Sequence, residues 1–181
     1  PRLPTISGLR RRGFTPASIR NFCDEISVTK NESVISYKLL EECLRTDLNK
    51  VSNRLMGVMD PVKLTITNWV GETEWVEVEN NPEDTTAGTR VVPFTGVLWI
   101  EREDFRLEAD KKFHRLKLNE EVRLKGGYVV KATDVVMDGD VITEIKCTFD
   151  PNSKSGMVLD RKVKGVIHWV SVEHASNVDV H

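Results

Sequence analysis

A chain of 181 residues can bury a core without disulfide help, and its 39% hydrophobic and 30% charged residues, with 11 Gly and 7 Pro, exclude a disordered or fibrous protein. Three cysteines, Cys23, Cys43 and Cys147, are odd in number and far apart, which excludes a disulfide framework or zinc knuckle and fits reduced core thiols. The net charge of -2 argues at first sight against a polyanionic partner, but the charges are segregated: five arginines stand between Arg2 and Arg20 before any acid appears, and Lys111, Lys112, Arg115, Lys117, Arg123, Lys125 and Lys131 face only Glu120 and Glu121. An acidic stretch over 61–108 separates these basic islands. No run approaches the ~20 apolar residues of a membrane span, so a cytoplasmic protein is expected. The chain opens on Pro1 rather than Met, as a piece of a longer protein would.

In chain order, residues 15–26 read as a helix, with Thr15 as N-cap, Pro16 at the first helical position, and Ile19, Phe22, Cys23 and Ile26 on one face. A second helix is expected over 36–49, with Leu40, Cys43, Leu44 and Leu48 aligned. After Asp60-Pro61 the apolar period changes from 3.6 to 2, and strands are expected over 62–67, 74–79, 91–100, 121–136, 141–149 and 162–172. Asp138-Gly139 predicts a tight hairpin of type I′, while 80–89 and 150–160 read as loops. The expected fold is α+β by segregation: a helical subdomain over 1–57, then a six-stranded antiparallel β-barrel over 58–181.

Catalytic constellations are missing from the sequence. It holds no glycine-rich nucleotide loop, no H-E-x-x-H, no C-x-x-C and no G-x-S-x-G, and its histidines, His114, His168, His174 and His181, are too scattered for a metal site. His168 reads as a hydrogen-bonded structural histidine in a strand. What remains is a binding surface. Over 111–125 basic residues interleave with Phe113 and His114, the mixture that holds single-stranded RNA by pairing with phosphates and stacking on bases. Strand alternation puts Arg123 and Lys125 on one face over a core of Val122 and Leu124, which fits equally an ordinary charged sheet face.

Five collinear strings carry a family resemblance: Gly8-Leu-Arg-Arg-Arg-Gly-Phe-Thr-Pro-Ala-Ser-Ile-Arg-Asn-Phe-Cys23, Asp60-Pro-Val-Lys63, Val92-Pro-Phe-Thr-Gly96 with Trp99-Ile100, the 115–125 block, and Arg161-Lys-Val-Lys-Gly-Val-Ile-His-Trp-Val-Ser171. Together they resemble the glutaminyl-tRNA synthetase family of class I aminoacyl-tRNA ligases. The resemblance implies the helical connecting subdomain and the first, ribosomal-protein-like anticodon-binding barrel of such an enzyme. It also implies a second barrel beyond His181, ATP and Mg²⁺ as cofactors of the full-length enzyme but none in this portion, a glutamine-accepting tRNA as partner, a monomer, and no membrane. The family's catalytic motifs do not occur here, so no catalytic residue is expected.

By the same resemblance the anticodon contacts fall on Asn49, Arg54, Lys112, His114, Arg115, Arg123 and Lys125, and an inner-corner tRNA contact on Thr29, Lys30 and Asn31. Three positions depart from the family pattern. Lys112 stands where Gln is common and His114 where Lys is usual, while Lys125-Gly126 replaces an Arg-Asn pair, exchanging a bidentate fork for a point charge. A eukaryotic or archaeal type of glutamyl-tRNA synthetase, a ribosomal-RNA-binding protein of similar barrel, and a non-catalytic protein-interaction domain remain as alternatives.

Overall fold

The computed structural model describes residues 5–30, 32–110 and 112–179. These form two compact units, one of residues 5–54 with Glu79–Gly88 and one of Leu55–Val78 with residues 89–179.

The first unit is helical. α1 (Ile6–Arg11) starts at Thr5, whose hydroxyl oxygen accepts from the Gly8 N–H at 3.1 Å. α2 (Pro16–Ile26) starts where its N-cap and Pro predict, with the Ser18 N–H donating to Thr15 Oγ1 at 3.0 Å; the Thr15 hydroxyl in turn donates to Asp47 of α3 (Tyr37–Val51). The two expected helices are therefore present, and α1 is an addition too short to show an apolar period. Little of this unit is sealed. Gly8, Phe14, Ser18 and Leu40 are buried, Ile19, Phe22 and Ile26 are half-buried, and Cys23, expected in a core, is exposed, since α3 packs on only one side of α2. Residues Glu79–Gly88 join the unit by hydrogen bonds, the Arg54 N–H donating to Asn80 O at 2.7 Å and buried Asn81 donating through Nδ2 to Asn49 O at 3.0 Å.

The second unit is built from β1 (Pro61–Ile66), β2 (Glu74–Glu79), β3 (Thr89–Phe94), β4 (Val97–Glu101), β5 (Phe105–Arg106), β6 (Leu116–Lys117), β7 (Glu121–Leu124), β8 (Val129–Asp138), β9 (Val141–Asp150), β10 (Val166–Ile167) and β11 (Val170–Ser171). The main sheet has seven strands in the order β10-β7-β8-β9-β1-β4-β11, and β2-β3 and β5-β6 form two small sheets. Two features of the expected barrel are corrected: the sheet has seven strands rather than six, and it is mixed rather than antiparallel. β1 pairs parallel to β9 and β10 parallel to β7, long-range choices that alternation within a strand cannot reveal. The two outermost strands are consecutive in the chain with only His168 and Trp169 between them, so one extended segment covers both edges of the curled, barrel-like sheet.

Alternation then fixes the core. Val62, Leu64 and Ile66 of β1, Leu98 and Ile100 of β4, Val122 and Leu124 of β7, and Ile145 and Cys147 of β9 point inward and are at most 3% exposed. An aromatic cluster completes it: Phe94 lies edge-on to Trp169 at 4.9 Å and to Tyr128 at 5.6 Å, and Trp69 stacks obliquely on Phe94 and Phe149, each at 5.1 Å. The expected β8–β9 hairpin is present with its loop one residue later, on Gly139-Asp140. Only Gly139 takes a positive φ, 60°, so the turn belongs to type II′ rather than I′.

Candidate nucleic-acid interface

The basic block owes its geometry to two buried anchors. Phe105 of β5 and Leu116 of β6 are 5% and 0% exposed and pair in parallel, so the segment between them is held at both ends, and Lys112, His114 and Arg115 within it are exposed. Asp110 Oδ1 accepts from the N–H groups of Lys112 and Phe113, each at 3.0 Å, an Asx-type turn that shapes the block. Arg106 lies over the Phe113 ring, its Cζ 4.6 Å from the centroid. Gly165 seats the block against the neighbouring segment: a Cβ there would come within 1.8 Å of His114 O, a clash with backbone that no rotamer change could relieve.

These contacts produce a cleft of about 540 Å³ lined by Glu103, Arg106, Lys112, Phe113, His114, Arg115, Lys164, Gly165 and Val166. Four permanent cations face it against one carboxylate, beside an aromatic ring already stacked by a guanidinium. Such a cleft suits an anionic ligand with a planar group, as a nucleotide has. Arg115 carries its sharpest geometry. Its Nη1 lies 2.9 Å from Asp104 Oδ1 in an ion pair and donates to Glu103 O at 3.4 Å, and its side chain is half exposed. Burial raises the Asp104 carboxyl above the usual Asp range, against the opposing pull of Arg115 and His168.

Of the sequence-predicted residues, Lys112, His114 and Arg115 meet in this cleft. Arg123 and Lys125 do not line it. The Arg123 guanidinium donates to Ser153 O at 2.8 Å, and Lys125, exposed just past β7, has its carbonyl bound by Trp169 Nε1 at 3.0 Å. In the helical unit the structure brings Asn49 and Arg54 together: Arg54 Nη2 donates to Asn49 Oδ1 at 3.2 Å and to Glu83 Oε1 at 3.3 Å. Thr29 and Lys30 are exposed beyond the end of α2, and Asn31 lies outside the described residues. The sequence reading passed over Arg106 and Lys164. Lys164 belongs to a visible basic run, 161–164, but Arg106 sits in a stretch whose acidic average hides it. His168, expected as a hydrogen-bonded strand histidine, instead stands half exposed between β10 and β11, its Nε2 4.0 Å from Glu101.

Among the described residues no His, Cys, Asp or Glu group could hold a metal ion, and no helix is long and apolar enough to cross a membrane. A barrel-like sheet that carries a basic cleft with an aromatic ring in its lining has the features of a nucleic-acid-binding module. Residues 52–150 match the family described as tRNA synthetases class I (E and Q), anti-codon binding domain, and the chain belongs to that family. The chain is similar to curated glutamine–tRNA ligases: 56% identical to that of Rhodopirellula baltica over 183 residues, 54% to that of Vibrio parahaemolyticus over 183, and 53% to that of Escherichia coli O157:H7 over 182. Each alignment covers 99% of this chain but only 30–33% of the relative, so the chain spans about a third of the length of the curated relatives it matches.

Proposed function

We propose that this chain is the anticodon-binding portion of a glutamine–tRNA ligase, one that works in the cytoplasm as a monomer on a glutamine-accepting tRNA and needs ATP and Mg²⁺ only in its full-length form. The observation that carries this reading is the cleft, where Arg106, Lys112, Arg115 and Lys164 converge beside Phe113 within a chain of the matched family. Unpaired anticodon bases would stack on Phe113 and His114, a single strand being readable in this way because its base faces are exposed. Lys112 and Lys164 would neutralise phosphates, and Arg115 would offer a planar fork to a base edge. Asn49 and Arg54 would add a contact at the end of α3, Arg123 and Lys125 another on β7 and just past it, and Thr29, Lys30 and Asn31 one at the inner corner of the tRNA. The barrel's likeness to a ribosomal-RNA-binding fold belongs to the same proposal.

The test is fluorescence-anisotropy binding of the chain to glutamine-accepting tRNA and to the same tRNA with its anticodon replaced. Preference for the native anticodon supports the reading. Equal binding of the two would assign the surface to nonspecific phosphate contact, and absence of binding at low salt by the folded chain would remove the RNA role.

A further inference from the structure

Asp104 is an expensive residue for this barrel to hold. It ends the short 3-10 turn Arg102–Asp104 ahead of β5, its side chain is 6% exposed, and only one of its carboxylate oxygens is satisfied. Oδ1 is paired with the Arg115 guanidinium at 2.9 Å, whereas Oδ2 is buried with no hydrogen-bond partner among the described residues. A half-satisfied buried carboxylate works against stability, and an amide or apolar side chain would serve the core better. The gain lies on Arg115. That side chain lines two clefts at once, the basic one and an adjoining one of about 510 Å³ whose lining includes Asp60, Glu101, Glu103, Asp104 and His168. Left to itself a long arginine among Arg106, Lys112 and Lys164 would be repelled and would sample many rotamers. With Nη1 paired to Asp104 Oδ1 and donating to Glu103 O, its end is tethered, and among the described residues Nε and Nη2 have no hydrogen-bond partner.

We infer that Asp104 is a positioning residue, which fixes the Arg115 guanidinium at the wall of the basic cleft so that its remaining N–H edge is pre-set to grip RNA. The inference rests on the anticodon-binding reading and adds to it a specificity element behind the contact surface. Pulling Arg115 off Asp104 would leave a buried charge unpaired, so the pair stays together when RNA binds and the arginine acts at fixed geometry rather than as a flexible counter-ion.

The experiment measures binding of an anticodon stem-loop, native and with one anticodon base replaced, to the wild-type chain, Asp104→Asn, Asp104→Leu, Arg115→Ala and the Asp104→Leu/Arg115→Ala double variant, with thermal unfolding of each. Asp104→Asn keeps size and an acceptor while losing the charge. It is expected to bind the native loop roughly tenfold more weakly and to discriminate less, without a lower unfolding midpoint. The double variant is expected to bind no worse than Arg115→Ala, the sign that Asp104 acts through that arginine. Unchanged binding and discrimination in Asp104→Asn would overturn the inference and leave the RNA reading standing, and so would a further loss on adding Asp104→Leu to Arg115→Ala. Absence of RNA binding by the folded wild type would overturn both. If Asp104→Leu fails to fold, Asp104→Asn alone still decides.

Discussion

Asp104 and Glu74 are carboxylates of one barrel that respond to pH in opposite senses. Burial would raise Glu74, but hydrogen bonds from Lys154 and Tyr128 outweigh it and hold the carboxyl below its usual value, so its contribution is present at neutral pH and lost as pH falls through the lowered folded value. Tyr128, on the other side of that bond, is pushed up to about 12 by burial and by Glu74. Asp104 is raised, chiefly by burial, so its contribution is fully present only below the ordinary Asp value and is lost as pH rises through its folded one. Asp104→Asn should therefore unfold at a higher temperature than wild type at pH 7, with the gap closing as pH is lowered toward 4; calorimetry of both proteins across that range checks it. A gap of constant size would mean that the carboxylate's ionisation is not what costs stability. The sequence made Lys112, His114 and Arg115 visible as candidates because they are neighbours in a basic run. It could not show Asp104 behind them or Arg106 over Phe113, because those relations come from a parallel pairing of β5 with β6 across nine intervening residues, of which Lys111 lies outside the described ones.

Elements were legible where one partner serves a whole run. α2 and α3 follow from caps and apolar spacing, and β1 and β9 from alternation ending at turns. The three longest expected strands each break where the chain changes partner. Residues 91–100 become β3, which pairs with β2, and β4, which pairs with β1 and β11; between them Thr95 Oγ1 donates to Val97 O at 2.8 Å and Gly96 O accepts from the Ile66 N–H at 2.8 Å. Residues 121–136 split at Gly126, whose φ of +72° and tight fit against Val78, where a Cβ would come within 2.4 Å, mark a turn rather than strand interior. Residues 162–172 become β10 and β11 on opposite edges of the sheet. Trp169 lies between them, 1% exposed, packed on Phe94 and hydrogen-bonded to Lys125 O, so it clamps both edges at once. Trp169→Ala should cost about 3–5 kcal/mol and lower amide protection in β7 and β4 together, read by denaturant unfolding and hydrogen exchange. Trp75, 59% exposed, is the control, and its Ala variant should stay within about 0.5 kcal/mol.

For the whole molecule, a net charge of -2 describes nothing that a bound RNA would feel. Salt screens fields over about 8–10 Å, so a ligand in the cleft responds to Arg106, Lys112, Arg115 and Lys164 and not to glutamates on distant strands. Many of the other charges are already committed: Arg161 donates to Glu121 at 2.9 Å and to Asp150 at 2.8 Å, Lys117 pairs with Glu120 at 3.0 Å, and Lys154 pairs with Glu74. Binding of the glutamine-accepting tRNA should weaken linearly in log–log with salt despite the acidic total, each phosphate neutralised on a single strand adding a slope of about -0.7. Replacing Lys112 and Lys164 together by Ala should reduce the steepness by roughly 1.4 and weaken native and altered anticodons alike, because point charges hold phosphates without reading bases. Arg115→Ala should instead lower the ratio between the two anticodons while moving the slope less, and Lys117→Ala, its ammonium tied to Glu120, should change neither. Salt titrations of anisotropy on these four proteins separate the two kinds of loss. If all three substitutions shifted slope and ratio equally, the cleft would be acting as a diffuse positive field and the division of labour between arginine and lysine would be wrong.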